Sequence, residues 1–307
     1  MMNWPSGYLL PLALGAAAEG GLLATCSHAE ATTTVYELGQ VTHFHGIAVE
    51  PAETSRLYLA THDGLFIVES DGTAHPLSEM RDDLMGLTLH PTDPSILYAS
   101  GHPAGGGNLG FVTSTDGGKS WSQLAEGADG PVDFHQMDVS PANPKTIYGA
   151  YAGSLQVSND EGRSWKMVGP APEGLIDLAA SSKDPSTLYA ATQSGLLKSE
   201  DVGRTWQDAY WRRQPATMVR VAPEGAVYAF VVGTGLIETV ERKLSWQTIS
   251  KGGFGGAYIL HLAVDPTSHS KLYAITFNPQ SKEQAVLASN DGGKTWAPLA
   301  APPAETR

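Results

Sequence analysis

The chain has 307 residues, 41 % of them apolar, enough to bury the core of one large β domain or two ordinary ones. Its 19 basic residues against 32 acidic ones leave a formal charge of −13, which argues against nucleic acid, whose phosphates need a basic face, and equally against an anionic membrane surface. A single cysteine, Cys26, excludes an intrachain disulfide and a thiolate metal cluster. The 34 glycines and 20 prolines gather in short turn-like clusters, which suits an all-β chain with many tight connections.

The N-terminal segment contains "GYLLPLALGAAAEGGLLATCSHAEA", an apolar stretch followed by small residues that reads as an export signal over residues 1–29. Two processing routes compete. Ser27-His28-Ala29 suits a signal peptidase and releases a chain starting near Glu30, whereas Leu23-Ala24-Thr25-Cys26 has the form of a lipobox, with Cys26 as the lipidated N-terminus. Thr25 is unusual before such a cysteine, Glu19 interrupts the apolar stretch, and no Lys or Arg precedes it. The expected locations are periplasmic, secreted or surface-anchored, with the lipid as the one membrane attachment. No other segment approaches the ~20 apolar residues of a spanning helix.

From residue 30 to 307 one unit recurs. A phrase of two strands around a turn appears as "IAVEPAETSRLYLA", "LTLHPTDPSILYAS", "MDVSPANPKTIYGA", "LAASSKDPSTLYAA", "VRVAPEGAVYAF" and "LAVDPTSHSKLYAI". Its tyrosines, Tyr58, Tyr98, Tyr148, Tyr189, Tyr228 and Tyr273, are 40, 50, 41, 39 and 45 residues apart, the length of a four-stranded propeller blade. The expected architecture is a single six-bladed β-propeller domain. "TTVYELGQV", residues 33–41, alternates like a strand and is expected to pair with the last blade and close the ring.

A second phrase ends most units: "STDGGKSW", "SNDEGRSW", "SEDVGRTW" and "SNDGGKTW", with a worn copy "TVERKLSW" in the fifth and no tryptophan in the first. It resembles the Asp-box, or BNR repeat, of sialidase-like and sortilin-like propellers, which places it in the turn between the third and fourth strands of a blade. Asp116, Asp160, Asp201 and Asp291 are therefore read as turn-holders, not catalytic carboxylates. Glycine permits the positive φ of such a turn, and the tryptophan packs between sheets.

With the units aligned by their proline, the position six residues upstream holds His45, Met85, His135, Ile176, Thr217 and Leu260. The position four residues beyond each tyrosine holds His62, His102, Ala152, Gln193, Val232 and Phe277. Both positions lie on the face opposite the Asp-boxes, here called the top. His43 joins the set, since strand residues two apart point the same way, ~6.6 Å apart. Half of the ten histidines thus fall into one sector, contributed by units one to three. Neutral imidazoles suit zinc or copper, and Met85 or Met137 would favour copper. Asp63, Asp83 and Asp133 are candidates to orient the imidazoles or to be solvated loop acids, and are also the candidate catalytic acids. His75, His90, His261 and His269 read as structural or solvated.

The segments "HFHG", "ATHDGL", "LMGL", "SGHP" and "DFHQM" resemble those of exported bacterial Asp-box proteins usually labelled glycosylhydrolase-like. That resemblance implies that His43, His45, His62, His102 and His135 belong to a family site, without fixing its chemistry. Three readings follow. One is a binding or assembly propeller that holds a metal ion, a small ligand, a glycan or a protein partner. A second is a metal-dependent enzyme. The third is a glycoside hydrolase, which needs two carboxyls flanking the bond, drawn from Asp63, Asp83, Asp133 or Glu37. The scarcity of free arginines speaks against a sialidase-type arginine triad. The run Gly105-Gly106-Gly107, beside His102, reads as a lid or an insertion.

Overall fold

The computed structural model describes residues 33–251 and 254–300; Cys26 and the segment read as an export signal lie outside them. β1 (Thr33–Thr34) and the short α1 (Val35–Leu38) precede the first blade, β2 (Phe44–Val49), β3 (Leu57–Thr61), β4 (Gly64–Val68) and β5 (Thr73–Pro76). Blade two is β6 (Asp83–Leu89), β7 (Leu97–His102), β8 (Phe111–Ser114) and β9 (Ser122–Ala125). Blade three is β10 (Gln136–Val139), β11 (Ile147–Tyr151), β12 (Ser154–Ser158) and β13 (Lys166–Pro170). Blade four is β14 (Leu175–Ala180), β15 (Leu188–Thr192), β16 (Gly195–Ser199) and β17 (Gln207–Asp208). Blade five is β18 (Ala216–Val221), β19 (Ala226–Val231), β20 (Gly235–Val240) and β21 (Gln247–Lys251). Blade six is β22 (Tyr258–Val264), β23 (Leu272–Phe277), β24 (Gln284–Ser289) and β25 (Ala297–Pro298). Each blade is an antiparallel meander. The innermost strands β2, β6, β10, β14, β18 and β22 touch in sequence, and β22 touches β2, so the six blades form a closed ring.

The second strand of each blade is sandwiched between neighbouring sheets, which is why it reads as a continuous apolar run rather than an alternating one. The repeat tyrosines lie on these strands, and Tyr98, Tyr148 and Tyr189 are almost wholly buried. In each full Asp-box the serine hydroxyl donates to the aspartate and accepts from the N–H of the glycine four residues on, as Ser114 does with Asp116 (2.8 Å) and Gly118 (2.8 Å). The aspartate then accepts from the backbone and hydroxyl of the residue four on, as in Asp160 with Ser164. Those hydroxyl and N–H donors hold the Asp116, Asp201 and Asp291 carboxyls down at about 2. The Asp-box aspartates are spent on turns.

Trp165 packs on Phe111 of blade two and on Phe134, with ring centroids at 5.1 and 4.8 Å, and donates its indole N–H to Gly162. Gly162 has φ +86°, and an added Cβ would overlap the Phe111 ring. Gly162→Ala is therefore expected to destabilise the protein by about 2–4 kcal/mol through backbone strain and overpacking. Gly153→Ala, with a similar φ of +78° but open space around it, should cost about 1 kcal/mol. Denaturant midpoints of the two variants measure the difference.

The N-terminal segment differs from expectation. β1 pairs antiparallel with β5, at the outer edge of blade one, and not with the last blade. Strand character then ends because Thr34 caps a helix: its hydroxyl accepts from the Glu37 N–H while the Glu37 carboxylate accepts from the Thr34 N–H. Among the described residues the ring closes without strand exchange. Gln284 of blade six clamps Phe44 of blade one, accepting from its N–H (2.7 Å) and donating to its carbonyl (3.2 Å). Around that clamp Phe44, Ile47, Ile275 and Val286 share one apolar cluster.

Candidate metal centre

Phe44 also fixes the first histidines. Its ring is buried, so His43 and His45 are left on either side of an anchored residue, and the His62 N–H donates to the His43 carbonyl. A bulge between Phe44 and Gly46 offsets the pairing with β3. The His62 ring consequently stands between the other two, with centroids 5.4 Å from His43 and 4.3 Å from His45. Asp83, at the start of β6, reaches across from blade two. Its Oδ2 lies 2.6 Å from His62 Nδ1 and its Oδ1 3.6 Å from His45 Nε2.

A second group lies on blades two and three. Val132 and Phe134 are buried, which leaves Asp133 and His135 on the same side of the chain entering β10. Asp133 Oδ2 sits 2.9 Å from His102 Nε2 and 2.7 Å from His135 Nε2. The His102 Nδ1 is 2.9 Å from the Gly107 carbonyl, which can only accept, so that nitrogen carries a proton. The triple-glycine loop therefore orients an imidazole. With Nδ1 protonated, Nε2 faces a carboxylate oxygen, and a cation, either a proton or a metal ion, is required between them.

The ligand atoms of His45, His62 and Asp83 lie within 4.8 Å of one another, and so do those of His102, Asp133 and His135. Among the described residues, the buried atoms His45 Nε2, Asp83 Oδ1 and Asp133 Oδ1 have no hydrogen-bond partner. Buried polar atoms are rarely left so, and each such atom costs on the order of 1–3 kcal/mol. Burial, reinforced by His62, His261, His135 and His43, pushes the His45 imidazole down to about 3, so it stays neutral with a lone pair to give. The hydrogen bond to Asp133 raises His135 instead.

The remaining predicted residues separate. His43 is exposed, with its ring tilted against that of His62, but is in neither group. Met85 is buried on β6, and Met137 lines the axial channel with His45 and His135. Asp63 is exposed, in a groove with His43 and His62. Asp83 and Asp133 are the two acids brought to the histidines.

The channel holds what the sequence did not announce. His261 lines it together with Asp177, Met218 and Arg220 in a cavity of about 50 Å³. His261, expected to be structural or solvated, lines the channel because bulges between Ile259 and His261 and between Leu175 and Asp177 turn the residue five before the repeat proline inward. Comparing the position five residues before the proline would have found it. Below the channel, a cavity of about 350 Å³ opens on the Asp-box side, lined by Arg220, Asp138 and five proline-bearing turns.

A family model for the BNR/Asp-box repeat matches residues 112–123, the first full Asp-box. No curated protein matches the chain. Among solved structures it is similar to the GH74 xyloglucanase from Xanthomonas campestris (18 % identity, TM-score 0.58) and to a GH74 enzyme from Niastella koreensis (17 %, TM-score 0.61). Each match covers 84 % of this chain but 45 % of the enzyme, so the chain spans about half the length of those relatives. YCF48 from Cyanidioschyzon merolae matches over 84 % of both chains, at 15 % identity and TM-score 0.51. At such identities the likeness is one of fold, and the chain is accordingly a six-bladed β-propeller carrying BNR/Asp-box repeats, resembling GH74 and other propeller proteins.

Proposed function

We propose that this propeller, exported by its N-terminal segment, binds a transition metal on its top face, as a binding or assembly protein or as a metal-dependent enzyme. The observation that carries this reading is the convergence of two imidazoles and one carboxylate in each of two groups, their ligand atoms within 4.8 Å of one another, with His45 Nε2 and Asp83 Oδ1 buried and lacking a hydrogen bond. Two imidazoles and a carboxylate per group suit zinc, with a position left for water or ligand; copper fits the same donors. A water bound to such an ion would be acidic enough to yield hydroxide near neutral pH. Elemental analysis of untagged protein tests the reading. Stoichiometric zinc or copper is expected in the wild type and at least about a ten-fold loss in a His45→Ala/His135→Ala variant. Equal metal in both, or none in the wild type, ends it.

Glycoside hydrolysis is the second reading, favoured by the fold likeness to GH74 enzymes and by two carboxylates at the ring's mouth. Asp83 and Asp133 are both engaged by imidazoles, however, while Arg56 pairs with Glu50, Arg213 with Asp208 and Arg220 with Asp138. Hydrolysis of xyloglucan or chromogenic glycosides that survives chelation, and is lost in Asp83→Asn or Asp133→Asn, would favour this reading over the metal one.

A further inference from the structure

The two His/Asp groups share a wall. Asp83, the carboxylate of the first, is paired across the β6–β7 ladder with His102, an imidazole of the second. Directly opposed residues of an antiparallel pair have Cα atoms about 4.5–5.5 Å apart. The approach is enforced at Gly101, the neighbour of His102, where φ is +129° and an added Cβ would overlap the Asp83 carbonyl.

Each group offers two imidazoles and one carboxylate, fewer than the four to six ligands a divalent transition-metal ion takes, so each leaves coordination positions open. The His62, His102 and His135 side chains are 44, 42 and 46 % exposed, so those positions are reached from solvent. With neutral imidazoles, one carboxylate against a divalent ion leaves a net positive charge in each group. Two such centres side by side form a local cationic patch on a chain of charge −13. An oxyanion has the charge and the paired oxygens to join them.

We propose that the top face holds two metal ions side by side, one in each His/Asp group, and that a small oxyanion of the phosphate class bridges them. This rests on the metal reading above and adds the number of ions and the class of ligand. His45, His62 and Asp83 hold the first ion, and His102, Asp133 and His135 the second. The Asp83–His102 pair sets their spacing, and the Gly107 carbonyl orients His102.

Calorimetric titration of the metal-stripped, untagged full chain with zinc tests the ion count. Two ions per chain are expected, falling to one in His62→Ala and to one in His102→Ala. Both rings are substantially exposed, so truncation spares the core, and the copper-loaded wild type gives an independent readout. Its paramagnetic resonance spectrum should show two copper ions coupled to one another. Inorganic phosphate should bind the two-zinc form roughly ten-fold tighter than either single-ion variant. One ion per chain, or two uncoupled ions, overturns the pair while leaving a metal site standing. Two coupled ions with equal phosphate binding in all forms overturn the bridge. No ion in the wild type sinks the metal reading itself.

Discussion

Replacing Asp138 by alanine is expected to destabilise the propeller by about 3–5 kcal/mol, because one buried carboxylate ties four blades together. Its Oδ1 accepts from Thr88 of blade two (3.1 Å) and faces the Arg220 guanidinium of blade five at 3.5 Å. Its Oδ2 accepts from the Ala180 N–H of blade four at 2.9 Å. The alanine leaves a buried hydroxyl and a buried N–H without their acceptor, each a desolvation loss. Arg220→Ala should cost less. The guanidinium is 40 % exposed to the lower cavity, and water there screens the pair and can replace it. Denaturant midpoints at unchanged m-value compare the two, and a smaller loss for Asp138→Ala than for Arg220→Ala would refute the assignment of the carboxylate as the tie.

Stability should also carry a pH signature from Asp177. Burial in the channel pushes this carboxyl up to about 7, against the N–H groups of Val219 and Leu178 and the Arg220 charge that favour its ionised form. Between pH ~4 and ~7 the unfolded chain has released this proton while the folded chain keeps it. Asp177 therefore makes stability fall as pH rises through that window, and adds no further change above it. His45 and His261, lowered by burial to about 3 and about 4, slope the opposite way. The comparison of wild type with Asp177→Asn isolates the aspartate. The wild type should lose about 2–4 kcal/mol relative to the variant between pH 4 and pH 7.5, the upper figure being that of a fully dry site. Parallel pH profiles for the two proteins would show that Asp177 ionises normally.

The fold was legible because a propeller writes its geometry once per blade. Six tyrosines at blade spacing and four full Asp-boxes fix strand order, turn positions and the two faces before any contact is known. The N-terminal segment misled for a local reason. "TTVYELGQV" alternates like a strand, yet the Thr34–Glu37 capping box inside it commits Val35–Leu38 to a helical turn. Ring closure rests instead on the β22–β2 contact, the apolar cluster around Phe44 and Ile275, and the Gln284 side-chain amide, which no periodicity marks.

The same division runs through the site. Sequence by itself determined which face and which three blades carry His45, His62, His102 and His135, because repeat equivalence converts position in the chain into position in space. Only the tertiary structure decided that these rings split into two groups around Asp83 and Asp133, and that His261 and Asp177 line the channel. The reason is physical. Blade period follows from backbone pairing, which a repeated sequence encodes locally, whereas the direction of each side chain depends on single-residue bulges at the inner strands and on carboxylates supplied across blade boundaries.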